Sequence, residues 1–408
     1  PETRALYTGP GGAPPVAGSR LTNPAQAALL ARIAAQGPDA FYTGAEAQKL
    51  VTTVNTAARN PSKMTLRDVA AYRAKPRDPV CAPYRGYRVC SMGPPSSGGL
   101  TVLMILKQLE RFDMTTLGKD SPVAWHLFAE SSRLAYADRN LYIGDPDFVS
   151  VPVKGLLDPS YLAARSALIS PDRSLDKVMP GTPAGAPPRQ RVPAHEVAGT
   201  SDLAVADARG DVVEVTTTVE DVFGSGLSID GTILNNQLTD FDIVPVADDA
   251  RGNGYLVANR VEGGKRPRSS MAPTIVYGPD GKVRLAVGAA GGSTIIAQVA
   301  KAIMGVVDWH LSAQDAIGLG LIYAPGPTAY AEAGTQLDAM IPALKALGER
   351  ITLVPLGLKA NAIEWVGGGK NGHWVGAADP RSEGVAIDTA GHRFVPPPFS
   401  GQADRPPE

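Results

Sequence analysis

Histidine and cysteine are scarce here. The chain of 408 residues has 5 histidines and 2 cysteines. His126, His195, His310, His373 and His392 are scattered, without a His-Glu-x-x-His pair or a partner set of cysteines. No metal site is expected from them. Excess charge is missing too. The 39 Lys and Arg stand against 40 Asp and Glu. They are spread along the chain, which argues against nucleic acid or an anionic membrane as partner. No apolar run reaches the roughly 20 residues that cross a bilayer. The opening PETRALYTGPGG has no apolar h-region of a signal peptide. No Gly-x-Ser-x-Gly elbow occurs, so an α/β-hydrolase is not expected. GGGKNG, around Lys370, has glycines but neither the spacing nor the Ser/Thr of a Walker A loop. The nucleophile must come from something other than a Ser–His pair.

What is present is turns. The 44 Gly and 36 Pro cluster in loops rather than in a repeat. The length allows two or three average domains, or one large layered domain. The first half reads as mostly helical. NPAQAALLARIAAQG begins on an Asn23-Pro24 cap, Thr43 and Thr65 cap two further helices, and MGPPSSGGL opens the apolar helix LTVLMILKQLERF. SPVAWHLFAESSRLAYADRNLY has helical spacing after Ser121-Pro122. Residues 172–199 form a Pro/Gly linker. The second half is short strands and Gly-rich turns, with helices expected over 293–310, 312–317 and 336–347. Strands are expected over 351–354, 362–366 and 373–377. Strand-rich and helix-rich stretches alternate without βαβ spacing. The expectation is an α/β (α+β) chain of stacked sheets covered by helices.

The two cysteines lie in VCAPYRGYRVCS. With Arg85-Gly86 as a two-residue hairpin loop, counting outward sets Cys81 opposite Cys90. Pro83 then falls where its missing N–H is not needed. This register predicts a disulfide and favours an oxidising compartment. The alternative is two buried thiols in a reduced protein.

HEVAGTSDLAVADARGDVVEVTTTVED raises a separate question. Residues 202–207 and 212–218 lean towards strands around a turn at 207–211. The first strand begins with Thr200, just after Gly199, at the end of the linker. A Thr hydroxyl is a poor nucleophile without a base. If Thr200 were the first residue of a chain, its own α-amino group, with an ordinary pKa near 7.7–8.0, would supply one. That requires the Gly199–Thr200 bond to be cut. The alternative is an ordinary strand-leading threonine.

From Thr200 onward the chain resembles the small subunit of the γ-glutamyltranspeptidase family. The matching segments are TSDLAVADARGDVVEVTTTVEDVFGSG, ILNNQLTDFD, GKRPRSSMAPTIV, VGAAGGSTII and GAADPRSEGVA. Upstream, GPDAFYTGAEAQKLV, LRDVAAYRA and YRVCSMGPPSSGGL resemble the later part of the family's large subunit. The resemblance implies an αββα N-terminal-nucleophile (Ntn) hydrolase fold. Residues 1–199 would be the C-terminal part of the large subunit and 200–408 the small subunit.

By the same resemblance Thr200 is the nucleophile, freed by autoproteolysis at Gly199–Thr200. Thr218 is the second threonine whose hydroxyl helps activate it; the strand pattern alone does not choose Thr218 over Thr216. Gly291 and Gly292 supply the oxyanion-hole N–H groups, where a bare backbone can approach the tetrahedral carbon. Glu220, Gln237 and Asp240 match the set that binds the substrate amine. Many relatives have Asn where Glu220 stands. Ser269 and Ser270 match the pair that binds the α-carboxylate. The stretch from Asp240 to Lys265 corresponds to the family's lid but does not follow its wording, so no lid residue is carried over.

The resemblance further implies transfer or hydrolysis of a γ-glutamyl group, with glutathione or a similar donor. It implies no metal or organic cofactor, a large/small subunit heterodimer, and a periplasmic or secreted location. It also implies about 150 residues ahead of anything matching NPAQAALLARI, including an Arg for the substrate carboxylate. The chain is therefore expected to be a portion of a longer precursor. Without those residues, apolar sheet is expected to stand exposed. Two other readings are an acylase of the same fold and an inactive binding or scaffold remnant. Glu220 and Asp240 argue against the acylase, because a substrate without an amine would leave them unpaired.

Overall fold

The computed structural model describes residues 2–396, apart from 9, 17, 191, 193–198 and 368–371. His195, the end of the linker and the Lys370 loop lie outside the described residues. The chain divides into two compact units. One is Pro1–Pro76 with Thr218–Gln237, the other Arg77–Thr217 with Leu238–Glu408. These boundaries follow packing, and neither falls at Gly199–Thr200.

In the smaller unit, α1 (Pro24–Gln36) starts where Asn23 accepts a hydrogen bond from the Gln26 N–H, and it stops at Gly37, φ 78°. The helices α2 (Gly44–Asn55) and α3 (Leu66–Ala71) follow, the latter opened by a reciprocal Thr65–Asp68 capping box. Ala47, Val51 and Val69 form a small core between them. The later stretch of this unit is tied to the helices by charge. Asp230 binds Lys49 at 2.7 Å and Arg32 at 3.1 Å, and the Lys49 hydrogen bond holds its carboxyl below the usual range.

The larger unit is built on a six-stranded antiparallel sheet. Its strands are β1 (Val80–Tyr84), β2 (Tyr87–Ser91), β5 (Thr274–Tyr277), β6 (Val283–Ala290), β7 (Lys359–Val366) and β8 (His373–Ala378), adjacent in that order. β1 and β2 form the cysteine hairpin. Arg85 and Gly86 both take positive φ, Cys81 faces Cys90, and the two are joined in a disulfide with Cα atoms 4.1 Å apart.

The helices α4 (Gly98–Leu109), α5 (Pro122–Tyr142) and α7 (Thr294–Val307) are buried over almost their whole circumference. That is the signature of core helices rather than surface ones. α4 and α7 pack on the sheet and on each other, and α5 lies against α4. A short helix, α6 (Pro159–Ser166), packs on α4 and leads into the linker.

The two-stranded sheet of β3 (Thr200–Ala206) and β4 (Val212–Thr218) forms a further layer, with β3 packed against β6 and β7. Along β3, Thr200, Asp202, Ala204 and Ala206 face inward. Leu203 and Val205 are 47% and 55% exposed, and Val213 of β4 is 56% exposed. The outer face of this layer is thus apolar and open among the described residues.

The helix expected over 336–347 is a 3-10 turn, Asp338–Met340, followed by the helix Ile341–Ala346. Pro342 suits a helix start. The side chains just ahead are engaged in the loop: Gln336 accepts from the Gly320 N–H, and Thr335 accepts from Leu337. The strand expected from Ala362 begins at Lys359, because Gln298 and Asp379 accept from the N–H groups of Lys359 and Ala360.

Candidate active site

Thr200 opens β3 and is 8% exposed. The hairpin after it is set locally: Asp207 accepts from the N–H groups of Arg209 and Asp211, and Gly210 takes φ 92°. The inner face of β3 is polar beside Thr200. Asp202 accepts from Thr216 at 2.5 Å and from Asn361 at 2.8 Å. The Glu214 carboxyl lies beside it, and burial with the neighbouring Asp202 pushes its pKa up to about 11. Thr200 also borders a cavity of about 1500 Å³, lined among others by Ala290, Asn361, Arg381 and Phe394. Neither Asp240, Ser269 nor Ser270 lines that cavity.

Gly291 and Gly292 connect β6 to α7. Their φ values are 133° and 58°, a region that favours glycine. The turn is held by the Thr294 hydroxyl on the Gly291 carbonyl at 2.8 Å and by Ile295 N–H on the Gly292 carbonyl at 3.1 Å. Ser293, the N-cap of α7, is fixed from two sides: Tyr136 donates to its carbonyl, and its hydroxyl meets the Tyr323 hydroxyl at 2.6 Å. The glycine pair thus precedes the positive end of a 14-residue helix. Such a position favours developing negative charge.

Ser269 and Ser270 lie against the start of α4. The N–H and hydroxyl of Ser97 both donate to the Ser269 carbonyl, and the Ser96 hydroxyl donates to Met271. This close approach requires glycine at the helix start, since a Cβ on Gly98 would lie 2.4 Å from the Met271 carbonyl. Arg139 donates to Ser270 Oγ. Asp240 ends the 3-10 turn Gln237–Asp240 and is 6% exposed. Its carbonyl accepts from Asn259, whose own side-chain oxygen accepts from the Arg268 N–H. One buried amide therefore ties the Asp240 segment to the residue just before the serine pair.

The smaller unit holds Thr218, Glu220 and Gln237. Glu220 is buried at φ 77°, a strained conformation for a residue with a side chain. Its N–H donates to Thr218 Oγ1 at 2.8 Å, and Gln237 Nε2 reaches its carboxylate at 3.3 Å.

Sequence reasoning passed over Arg139, Ser97 and Asn259. Asn259 lies in the stretch that did not follow the family's wording. Arg139 and Ser97 sit at helix ends, where capping is the ordinary reading.

Among the described residues one group has metal-ligand atoms close together: His126, Glu130 and Glu349. The residues do not fit a metal. His126 Nδ1 faces Glu349 at 2.6 Å and Nε2 faces the Ser170 carbonyl at 2.9 Å, while Arg133 pairs with both carboxylates. Burial lowers the His126 pKa, but its bonds to Glu349 and Ser170 outweigh that and leave it raised. The positive charge at this centre belongs to side chains.

Helices, a six-stranded sheet and a second sheet carrying Thr200 at its leading end define an Ntn-hydrolase fold. The cephalosporin acylase of Bacillus halodurans shares it, with a TM-score of 0.78 at 24% identity over 93% of this chain and 65% of that one. Residues 1–389 match the Gamma-glutamyltranspeptidase family model, and the chain belongs to that family. A glutathione hydrolase proenzyme of Bacillus subtilis (strain 168) is 36% identical over 93% of this chain and 63% of its own length. One of Escherichia coli (strain K12) is 36% identical over 91% and 62%. An acylase ACY 1 proenzyme of Pseudomonas sp. (strain SE83) is 33% identical over 94% and 64%. The chain thus spans a little under two thirds of the length of these curated relatives.

Proposed function

We propose that this chain carries the acyl-transfer centre of a γ-glutamyl hydrolase or transferase. The Thr200 hydroxyl attacks the Gly199 carbonyl, giving an ester that water opens, and Thr200 becomes the first residue of a small subunit. Its free amine then acts as base while its hydroxyl attacks the γ-glutamyl amide of glutathione or a related donor. The C–N bond breaks, the proton passes to the leaving amine, and a γ-glutamyl ester forms on Thr200. Water or an acceptor amine resolves it. Gly291 and Gly292 stabilise the oxyanion, Asp240 binds the substrate ammonium, and Ser269 and Ser270 bind its carboxylate. Thr218, Glu220 and Gln237 keep the roles that the family resemblance implies.

The observation that carries this reading is the buried Thr200 at the head of a strand, after a linker, in a chain whose family relatives are proenzymes. The Cys81–Cys90 disulfide supports a periplasmic or secreted location. No described helix is long and apolar enough to cross a membrane.

The acylase relative favours a second reading, removal of a glutaryl-type side chain. The buried carboxylates of Glu220 and Asp240 favour an amine-bearing donor instead. Intact-mass analysis of protein from the complete reading frame tests the proposal. Two fragments meeting at Gly199–Thr200 are expected in the wild type and one chain in Thr200→Ala. An active wild-type protein that remains one chain would overturn it.

A further inference from the structure

Ser270 has a buried cation behind it. Arg139, near the end of α5, is 1% exposed. Its Nη2 donates to Ser270 Oγ at 2.7 Å, its Nε to Ser97 Oγ at 2.7 Å, and its Nη1 to the Asn140 side-chain oxygen at 2.8 Å. A guanidinium has donors only, so both serine hydroxyls accept from it. Each must then turn its own hydrogen away from Arg139. For Ser97 that hydrogen goes to the Ser269 carbonyl at 2.6 Å. Ser270, accepting from Arg139, likewise directs its own hydrogen to the side away from the cation. Accepting a charge-assisted bond also makes a hydroxyl a stronger donor.

We infer that Arg139 is the positioning residue of the carboxylate pocket: it orients the Ser270 hydroxyl as a donor to an anion, and through Ser97 it fixes the backbone of Ser269. The ligand group is the α-carboxylate of the γ-glutamyl donor, so the inference rests on the reading of Ser269 and Ser270 given above. Both links run through one planar fork, with Nε on one serine and Nη2 on the other. Lysine keeps the charge at this position but cannot reproduce the fork.

The test compares two anilide donors on the protein from its complete reading frame. One is γ-glutamyl anilide. The other is 4-aminobutanoyl anilide, which keeps the amine and lacks the carboxylate. Arg139→Lys is expected to raise KM for the γ-glutamyl donor about 10-fold or more, with kcat changed less than about 3-fold. The kcat/KM for 4-aminobutanoyl anilide should stay at the wild-type value. Arg139→Lys with Ser270→Ala should cost clearly less than the two single losses combined, since once Ser270 is gone only the link through Ser97 remains to be lost. Equal losses on both donors, or fully additive effects, would overturn the inference. Should Arg139→Lys fail to fold, Ser97→Ala removes the hydroxyl that links Arg139 Nε to the Ser269 carbonyl and leaves the Ser97 N–H bond to that carbonyl in place. It is expected to show the same donor-selective rise in KM, and an equal loss on both donors, or none, would count against Arg139. A wild-type enzyme that uses both donors alike would instead remove the carboxylate reading of the serine pair, and the inference with it.

Discussion

Asp202 and Glu214 bring two carboxyl groups together over Gly288. A Cβ on that glycine would lie 2.3 Å from Asp202 Oδ2 and 2.5 Å from Glu214 Oε1. The pair occupies the inner face of the β3–β4 layer, Asp202 on the strand that Thr200 opens and Glu214 on its partner strand. Burial raises the pKa of both, that of Glu214 to about 11, so the pair retains a proton at neutral pH.

A raised carboxyl pKa gives stability that is complete below the ordinary value of 4.5 and is lost as pH rises towards about 11. The wild type should therefore lose thermal stability between pH 5 and pH 9 through this pair. Glu214→Gln keeps the shape and a donor without needing the proton. It should flatten that decline and be more stable than wild type at the alkaline end. Melting curves across the range check this; identical slopes would assign the pH dependence to other groups.

The disulfide closes a short loop. In the chain-entropy model such a bridge stabilises by roughly 2–3 kcal/mol. Cys81→Ser with Cys90→Ser should lower the unfolding free energy by about that amount in urea titration. Thiol labelling of the denatured, unreduced wild type should find no free thiol.

Gly291 has φ 133°, and a Cβ there would lie 2.6 Å from Thr294 Oγ1. Gly291→Ala should displace the turn to which the proposed function assigns the oxyanion donors. Turnover is expected to fall by about 10²–10³, on γ-glutamyl and glutaryl donors alike. A loss confined to KM would remove the glycine pair from the chemical step.

Asp240 gives the contrasting outcome. Asp240→Asn should raise KM for a γ-glutamyl donor by about 10- to 150-fold, the equivalent of roughly 1.5–3 kcal/mol for a charge-assisted bond. A glutaryl donor, which has no amine, should be nearly unaffected. Equal effects on both donors would make Asp240 a structural residue.

Much of the local structure was legible in the sequence because its causes are local. Asn23 and Thr65 cap helices within three residues of themselves, and the Cys81–Cys90 register follows from counting out of a two-residue turn. The helix over 336–347 was misjudged because its first residues answer to distant partners, such as the Gly320 N–H on Gln336.

The sequence by itself named the candidate nucleophile, the glycine pair and the serine pair, since the motifs that resemble the family's are contiguous. Only the tertiary structure decided what stands behind them. Arg139 and Ser270 are 131 residues apart, and Ser97 and Ser269 are separated by 172. No periodicity links such positions; the approach of the α4 start to the serine segment, permitted by Gly98, brings them together. Nor could composition show that Glu214 holds its proton. That follows from the low dielectric between two packed sheets, which exists only once β3 lies against β6.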